Sequence, residues 1–158
     1  MRRLGALVLP AVLLMSGIGS AAAQTLPQGE AAKKFFGAWR YLGTWVGGKP
    51  RARGAHPNGM IYYDRSGYMS AQIAPDRRVA MAGQSPTPEE AKAALADWVS
   101  YFGPYTIDER AGTVTHHRQG SVQPGSLFDV VRTYEFNGDR LILRPVGLDM
   151  EVVWERLR

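Results

Sequence analysis

Two of the chain's three histidines, His116 and His117, stand side by side in VTHHRQG (residues 114–120), with Arg118 next to them. An imidazole on a strand can act as an acid or base near neutral pH, or can ligate a metal. Neighbours on a strand face opposite sides, so the two rings cannot chelate one ion without a bulge. His56 is the remaining histidine and no carboxylate cluster accompanies the three, so no metal and no other cofactor is expected. A second candidate is Arg132. On FDVVRTYEF (128–136), alternation groups Phe128, Val130, Arg132, Tyr134 and Phe136 on the inner face. A guanidinium there needs a partner, because burying an unpaired charge is costly. It either receives the acid of a ligand bidentately or pairs with an inward Glu, Asp, Tyr or backbone carbonyl.

Two registers are open for the histidines. If Val114 is core, His116 and Arg118 share its face. If Thr113 and Thr115 line the lumen, His117 does. The second arrangement is preferred here, since it gives an apolar cavity a polar floor of Thr, His117 and Arg132, the usual makeup of a ligand site. His117 and Tyr105 are then the candidate acid–base groups. The candidate ligand wall is Arg132, His117, Tyr134, Tyr62, Met69 and Trp45. For the tyrosines, Met69 and Trp45, core or rim packing is the ordinary alternative role.

These side chains must be held by strands. GMIYYD (59–64) and YMSAQIA (68–74) flank the turn Arg65-Ser66-Gly67. PYTID and TVTHHRQGSV flank Glu109-Arg110-Ala111-Gly112, and DVVRTYEF and RLILRPV flank Asn137-Gly138-Asp139. Asn-Gly between alternating apolar runs is a strong hairpin signal. A last turn near Gly147–Asp149 leads into MEVVWERLR. Residues 35–48 carry Trp39, Tyr41 and Trp45 at alternating positions. One segment, 85–104, has helical spacing: Ala91, Leu95, Trp98, Val99 and Phe102 share a stripe. Thr87 is its expected N-cap, Pro88 takes the first helical position, Glu90 completes a capping box, and Gly103-Pro104 is its expected stop. The expected fold is all-β: an eight-stranded antiparallel up-and-down barrel with one helix between strands 3 and 4, its apolar face covered by strands. The glycine-rich basic stretch 47–55 is expected near a barrel opening, as a lid that steers an anionic ligand or as a plain solvated loop.

Gly37-Ala38-Trp39 on the first strand looks like the lipocalin G-x-W motif. The order GTW, HPNGMIYYDRSGYMSAQI, TPEEAKAALADWVSYFGPYTIDERAGTVTHH, RTYEFNGDRLIL and VVWER resembles the bacterial and fungal lipocalin-like domain family, from about Phe36 to Arg156. The resemblance implies a barrel with a small-molecule pocket and no agreed reaction. It also implies a structural pair, with Arg156 of the last strand packed over Trp39. Relatives include binders of apolar or amphiphilic molecules and some cyclases or isomerases.

Length and composition set the remaining bounds. A chain of 158 residues allows one core. Arg2 and Arg3, the apolar run Leu4–Gly17 and the Ala21–Ala23 site have the layout of a secretory signal peptide, with cleavage expected after Ala23. The expected division is a signal peptide over 1–23, a linker over 24–34 and the barrel over 35–158. Losing Arg2 and Arg3 lowers the formal charge from +5 to +3. That balance disfavours nucleic acid as a partner. The absence of cysteine excludes disulfides, thiolate chemistry and a lipidated N-terminal cysteine. A periplasmic or secreted binder of a small hydrophobic or amphiphilic molecule is expected, with no stable membrane insertion after cleavage. The alternatives are a cofactor-independent isomerase, cyclase or hydratase, and an envelope chaperone with a filled interior.

Overall fold

Alternating strands bury half their side chains only if the sheet has something to face, and this sheet faces itself. The computed structural model describes residues 26–54, 56, 58–76 and 80–158; the expected signal segment and its cleavage site lie outside them. In chain order the elements are α1 (Glu30–Phe35), β1 (Gly37–Val46), β2 (Lys49–Pro50), β3 (Asn58–Tyr63), β4 (Tyr68–Ala74), α2 (Pro88–Leu95), β5 (Val99–Asp108), β6 (Thr113–His117), β7 (Gly120–Ser121), β8 (Asp129–Asn137), β9 (Arg140–Pro145) and β10 (Met150–Arg156). Eight of the strands form a closed antiparallel ring, β1–β3–β4–β5–β6–β8–β9–β10. Pairing of β10 back onto β1, from Trp39↔Arg156 to Val46↔Met150, closes it. The two-residue strands β2 and β7 are additions, paired to β1 and β5.

The helix expected over 85–104 is much shorter. Thr87 caps α2 with the reciprocal Glu90 box, but the helix ends at Leu95 and buries nothing. Asp97 then takes a left-handed φ of 62°, and the chain enters β5. Two periods compete over 95–105. Tyr101, Gly103 and Tyr105 alternate inward, while Phe102, which the helical stripe would bury, is 54% exposed. The strand wins because β4 supplies a complete ladder from Ile73↔Val99 to Tyr68↔Pro104. Gly103-Pro104 is therefore inside a strand rather than a helix stop.

Within the segment expected as a linker, α1 packs onto the barrel and buries Ala32 and Phe35. Phe35 meets Tyr63, Tyr134 and Phe136 edge-on, with ring centroids 4.9, 5.0 and 5.1 Å away. Trp39 Nε1 donates to the Phe35 carbonyl at 2.8 Å. The Arg156 guanidinium lies 4.0 Å from the Trp39 ring and donates to the carbonyls of Phe36 (2.9 Å) and Lys34. Gly37, at φ 110°, lets the chain turn from α1 into β1. Together these contacts seal the end of the barrel where β1 begins.

Candidate functional site

The opposite end holds a cavity of about 140 Å³. Its walls are Ala71, Ile73, Val99, Leu143, Met150, Val152 and Trp154 on the apolar side, and Thr44, Tyr101 and four arginines (Arg51, Arg53, Arg118, Arg132) on the polar side. An apolar cavity of about 150 Å³ is large enough to hold benzene.

Alternation put Arg132 on the inner face, and it is 93% buried there, at 7% exposure. Its Nη1 donates to His116 Nδ1 at 3.1 Å and to the Val130 carbonyl at 3.2 Å, and its Nη2 to the Tyr101 hydroxyl at 3.3 Å. The expectation of an inward His117 is corrected. Val114 is fully buried and sets the register, so His116 is the buried ring and His117 lies on the outer side. There His117 pairs with Asp129 at 2.9 Å and Thr106 at 2.9 Å.

His116 joins three strands. Arginine only donates, so Nδ1 is an acceptor; it accepts from Arg132 and, at 3.0 Å, from the Tyr101 hydroxyl. The proton of the neutral ring is then on Nε2, which donates to the Tyr63 hydroxyl oxygen at 2.8 Å. Burial, and next the Arg132 charge, hold the imidazole pKa well below its usual range. The stability consequence has a definite sign. Below about pH 6.5 the unfolded chain takes up a proton on His116 that the native protein refuses, so stability falls as pH falls. The expected slope from this ring is at most about 1.4 kcal/mol per pH unit below pH 6.5. Urea midpoints at pH 7.5, 6.5 and 5.5 measure it; in His116→Gln this part of the acid slope is expected to vanish.

Arg118 reaches the lumen because of a glycine. A Cβ on Gly103 would lie 1.9 Å from the His117 carbonyl oxygen. Only a bare backbone lets the chain after β6 fold inward here, fixed by Gln119 N–H on the Phe102 carbonyl at 2.9 Å. Arg118 then lies 4.3 Å from the Tyr101 ring and 5.2 Å from that of Phe128.

The basic stretch after β1 forms the rim. Gly47 and Gly48 turn the chain into β2, Arg51 N–H reaches the Thr44 carbonyl at 2.7 Å, and Asp76 N–H reaches the Arg53 carbonyl at 2.9 Å. Arg53 is 6% exposed and donates to the Asp97 carbonyl; Arg51 pairs with the Asp97 carboxylate at 3.1 Å. Burial, above all, lowers the pKa of both Arg53 and Arg118. Among the described residues no carboxylate forms an ion pair with Arg53, Arg118 or Arg132. Arg53 Nε, Arg118 Nε and Trp154 Nε1 are buried donors with no acceptor among the described residues.

The other candidates scatter. Tyr62 is corrected to the outer face, 41% exposed and 3.2 Å from Asp64; Tyr63 takes the inward position. Trp45 is corrected likewise. A β-bulge between Tyr41 and Gly43 shifts the alternation of β1 by one, so Thr44 turns inward and Trp45 packs outside over Gly43. Met69 is core but not cavity wall. Tyr105 and Tyr134 belong to the sealed end: Tyr105 donates to the Asp64 carbonyl at 2.9 Å, and Tyr134 packs on Phe35 and Phe136. The site residues that the sequence candidates left out are Arg53, Arg118, Tyr101, Thr44 and Trp154. Inward parity was a usable signal for Arg118 and Trp154. Arg53 lies outside any strand and carried none.

Among the described residues no group of three or more His, Asp or Glu side chains is placed to hold a metal. No described helix is long and apolar enough to cross a membrane.

Geometry of this kind, a closed antiparallel barrel sealed at one end with a mixed apolar and cationic cavity at the other, defines a small-molecule-binding β-barrel class. The model of the lipocalin-like domain matches residues 37–155, and the chain belongs to that family. No curated protein matches it.

Proposed function

We propose that the protein is an exported binding protein that holds a small acidic amphiphile at the open end of its barrel. One observation carries the reading: the guanidinium groups of Arg53, Arg118 and Arg132, which have no ion-paired carboxylate among the described residues, face an apolar wall across one cavity. Desolvating such cations is costly, and an anionic group of a ligand offsets that cost. The apolar wall opposite takes the ligand's body. An interior that is open at this end argues against a barrel filled by its own side chains. Export, with a signal peptide over residues 1–23, rests on the three-part N-terminal sequence and accords with a cysteine-free domain.

A second reading, acid–base catalysis on a bound substrate, draws on the hydrogen-bonded Tyr101–His116 pair, since Tyr101 lines the cavity. It is the weaker reading. His116 is fully buried, its Nδ1 is taken by two donors and its Nε2 by Tyr63, so no lone pair faces a substrate. His116 is better described as a positioning residue that fixes Tyr101 and Arg132.

Titration calorimetry with benzoate and benzyl alcohol tests the binding reading. The acid is expected to bind at least about tenfold more tightly than the neutral analogue, since charge-assisted hydrogen bonds are the stronger kind. Equal affinities would remove the arginines from the site.

A further inference from the structure

We infer, resting on the binding reading above, that the head group accepted here is dianionic and tetrahedral: a phosphate monoester carrying a compact apolar body. The charge balance is one ground. Arg51, Arg53, Arg118 and Arg132 all line the cavity, and Asp97, which neighbours it, is already paired with Arg51. A monocarboxylate offsets one of the remaining three cations, of which Arg53 and Arg132 are buried and Arg118 is partly buried; a dianion offsets two.

The donors are the second ground. Beside Arg51, the guanidinium side chains that line the cavity are those of Arg53, Arg118 and Arg132. They come from three separate parts of the barrel: the rim segment after β2, the infolded segment after β6, and β8. A carboxylate offers two oxygens in one plane. A phosphate monoester offers three terminal oxygens spread in space, which suits donors arriving from different elements. Arg132 has less to give. Its Nη1 serves His116 and Val130 and one hydrogen of its Nη2 serves Tyr101, so it is held in a fixed position with the second Nη2 hydrogen left for a ligand.

Titration calorimetry of the full chain with phenyl phosphate, benzoate and inorganic phosphate tests this. At pH 7.5 phenyl phosphate is expected to bind at least about tenfold tighter than benzoate. The second phosphate pKa is near 6, so moving to pH 5.5 removes most of the dianion and is expected to weaken phenyl phosphate about fourfold. Benzoate stays largely ionised over this range and changes little. Inorganic phosphate is expected to bind more weakly than phenyl phosphate; equal binding would show that the apolar wall takes no part and would overturn the proposal. Arg118→Gln is expected to reduce the preference for phenyl phosphate over benzoate to below about threefold, and Arg53→Gln gives an independent reading if the first variant folds poorly. Benzoate binding as tightly as phenyl phosphate, or a flat pH response, overturns the phosphate assignment and leaves acid binding intact. Binding of neither overturns both.

Discussion

Arg132→Met is expected to separate binding from stability. Affinity for benzoate or phenyl phosphate should fall by about 1.5–3 kcal/mol, roughly 10- to 150-fold, the range for a lost charged hydrogen bond. The melting temperature of the free protein should stay within about 3 °C or rise. The reason lies in what Arg132 lacks. It is 7% exposed and bonded to a histidine, a tyrosine and a backbone carbonyl, with no carboxylate ion pair among the described residues. Replacing it with an apolar chain of similar length removes an uncompensated desolvation cost and leaves the Tyr101–His116 bond in place. Calorimetry and a thermal melt on one preparation decide the matter. Unchanged affinity with a large loss of stability would make Arg132 a strut between β6 and β8 instead of a ligand contact.

The largest stability effect is expected at the other end. Phe35→Ala should cost about 3–5 kcal/mol, the range for deleting a buried aromatic ring. Phe35 is fully buried and faces the rings of Tyr63, Tyr134 and Phe136, and its carbonyl holds the Trp39 indole. Removing the ring leaves three aromatic edges around a void, and the helix that carries it has six residues, too few to stay formed alone. Urea unfolding reads the cost as a lower midpoint at unchanged slope. Binding at the cavity should be little affected in protein that remains folded, because Phe35 does not line it. A cost below about 1 kcal/mol would show that α1 does not seal the barrel.

The barrel was legible because its signals are local. Asn137-Gly138, Arg65-Ser66-Gly67 and the Gly112 turn mark hairpins, and hairpins make consecutive strands antiparallel neighbours. The inward stripe Val130–Arg132–Tyr134–Phe136 followed from the same short-range rule, but Phe128, expected on it, precedes β8 and is 55% exposed, because no ladder extends alternation to it. The failures share a cause. Alternation tells which residues share a face, never which face is inside, and it holds only while the ladder is regular. His116 and His117 were therefore separable but not assignable, and Tyr62 and Tyr63 likewise. Trp45 was misassigned because the bulge at Tyr41/Gly43 resets the count. The helix at 85–104 was drawn too long because 99–104 fits both periods, and only the β4 ladder selects one.

By itself, the sequence determined the hairpin order, the all-β class, the inward Arg132 and the absence of thiol chemistry, since each rests on residue type or on spacing within a few positions. Tertiary structure decided which histidine is buried, which end is open and which arginines meet. Those outcomes depend on ring closure, which brings Arg53 from a rim loop, Arg118 from beyond β6 and Trp154 from β10 around one space. Residues so far apart in the chain share no period, so only the closed barrel could assemble them.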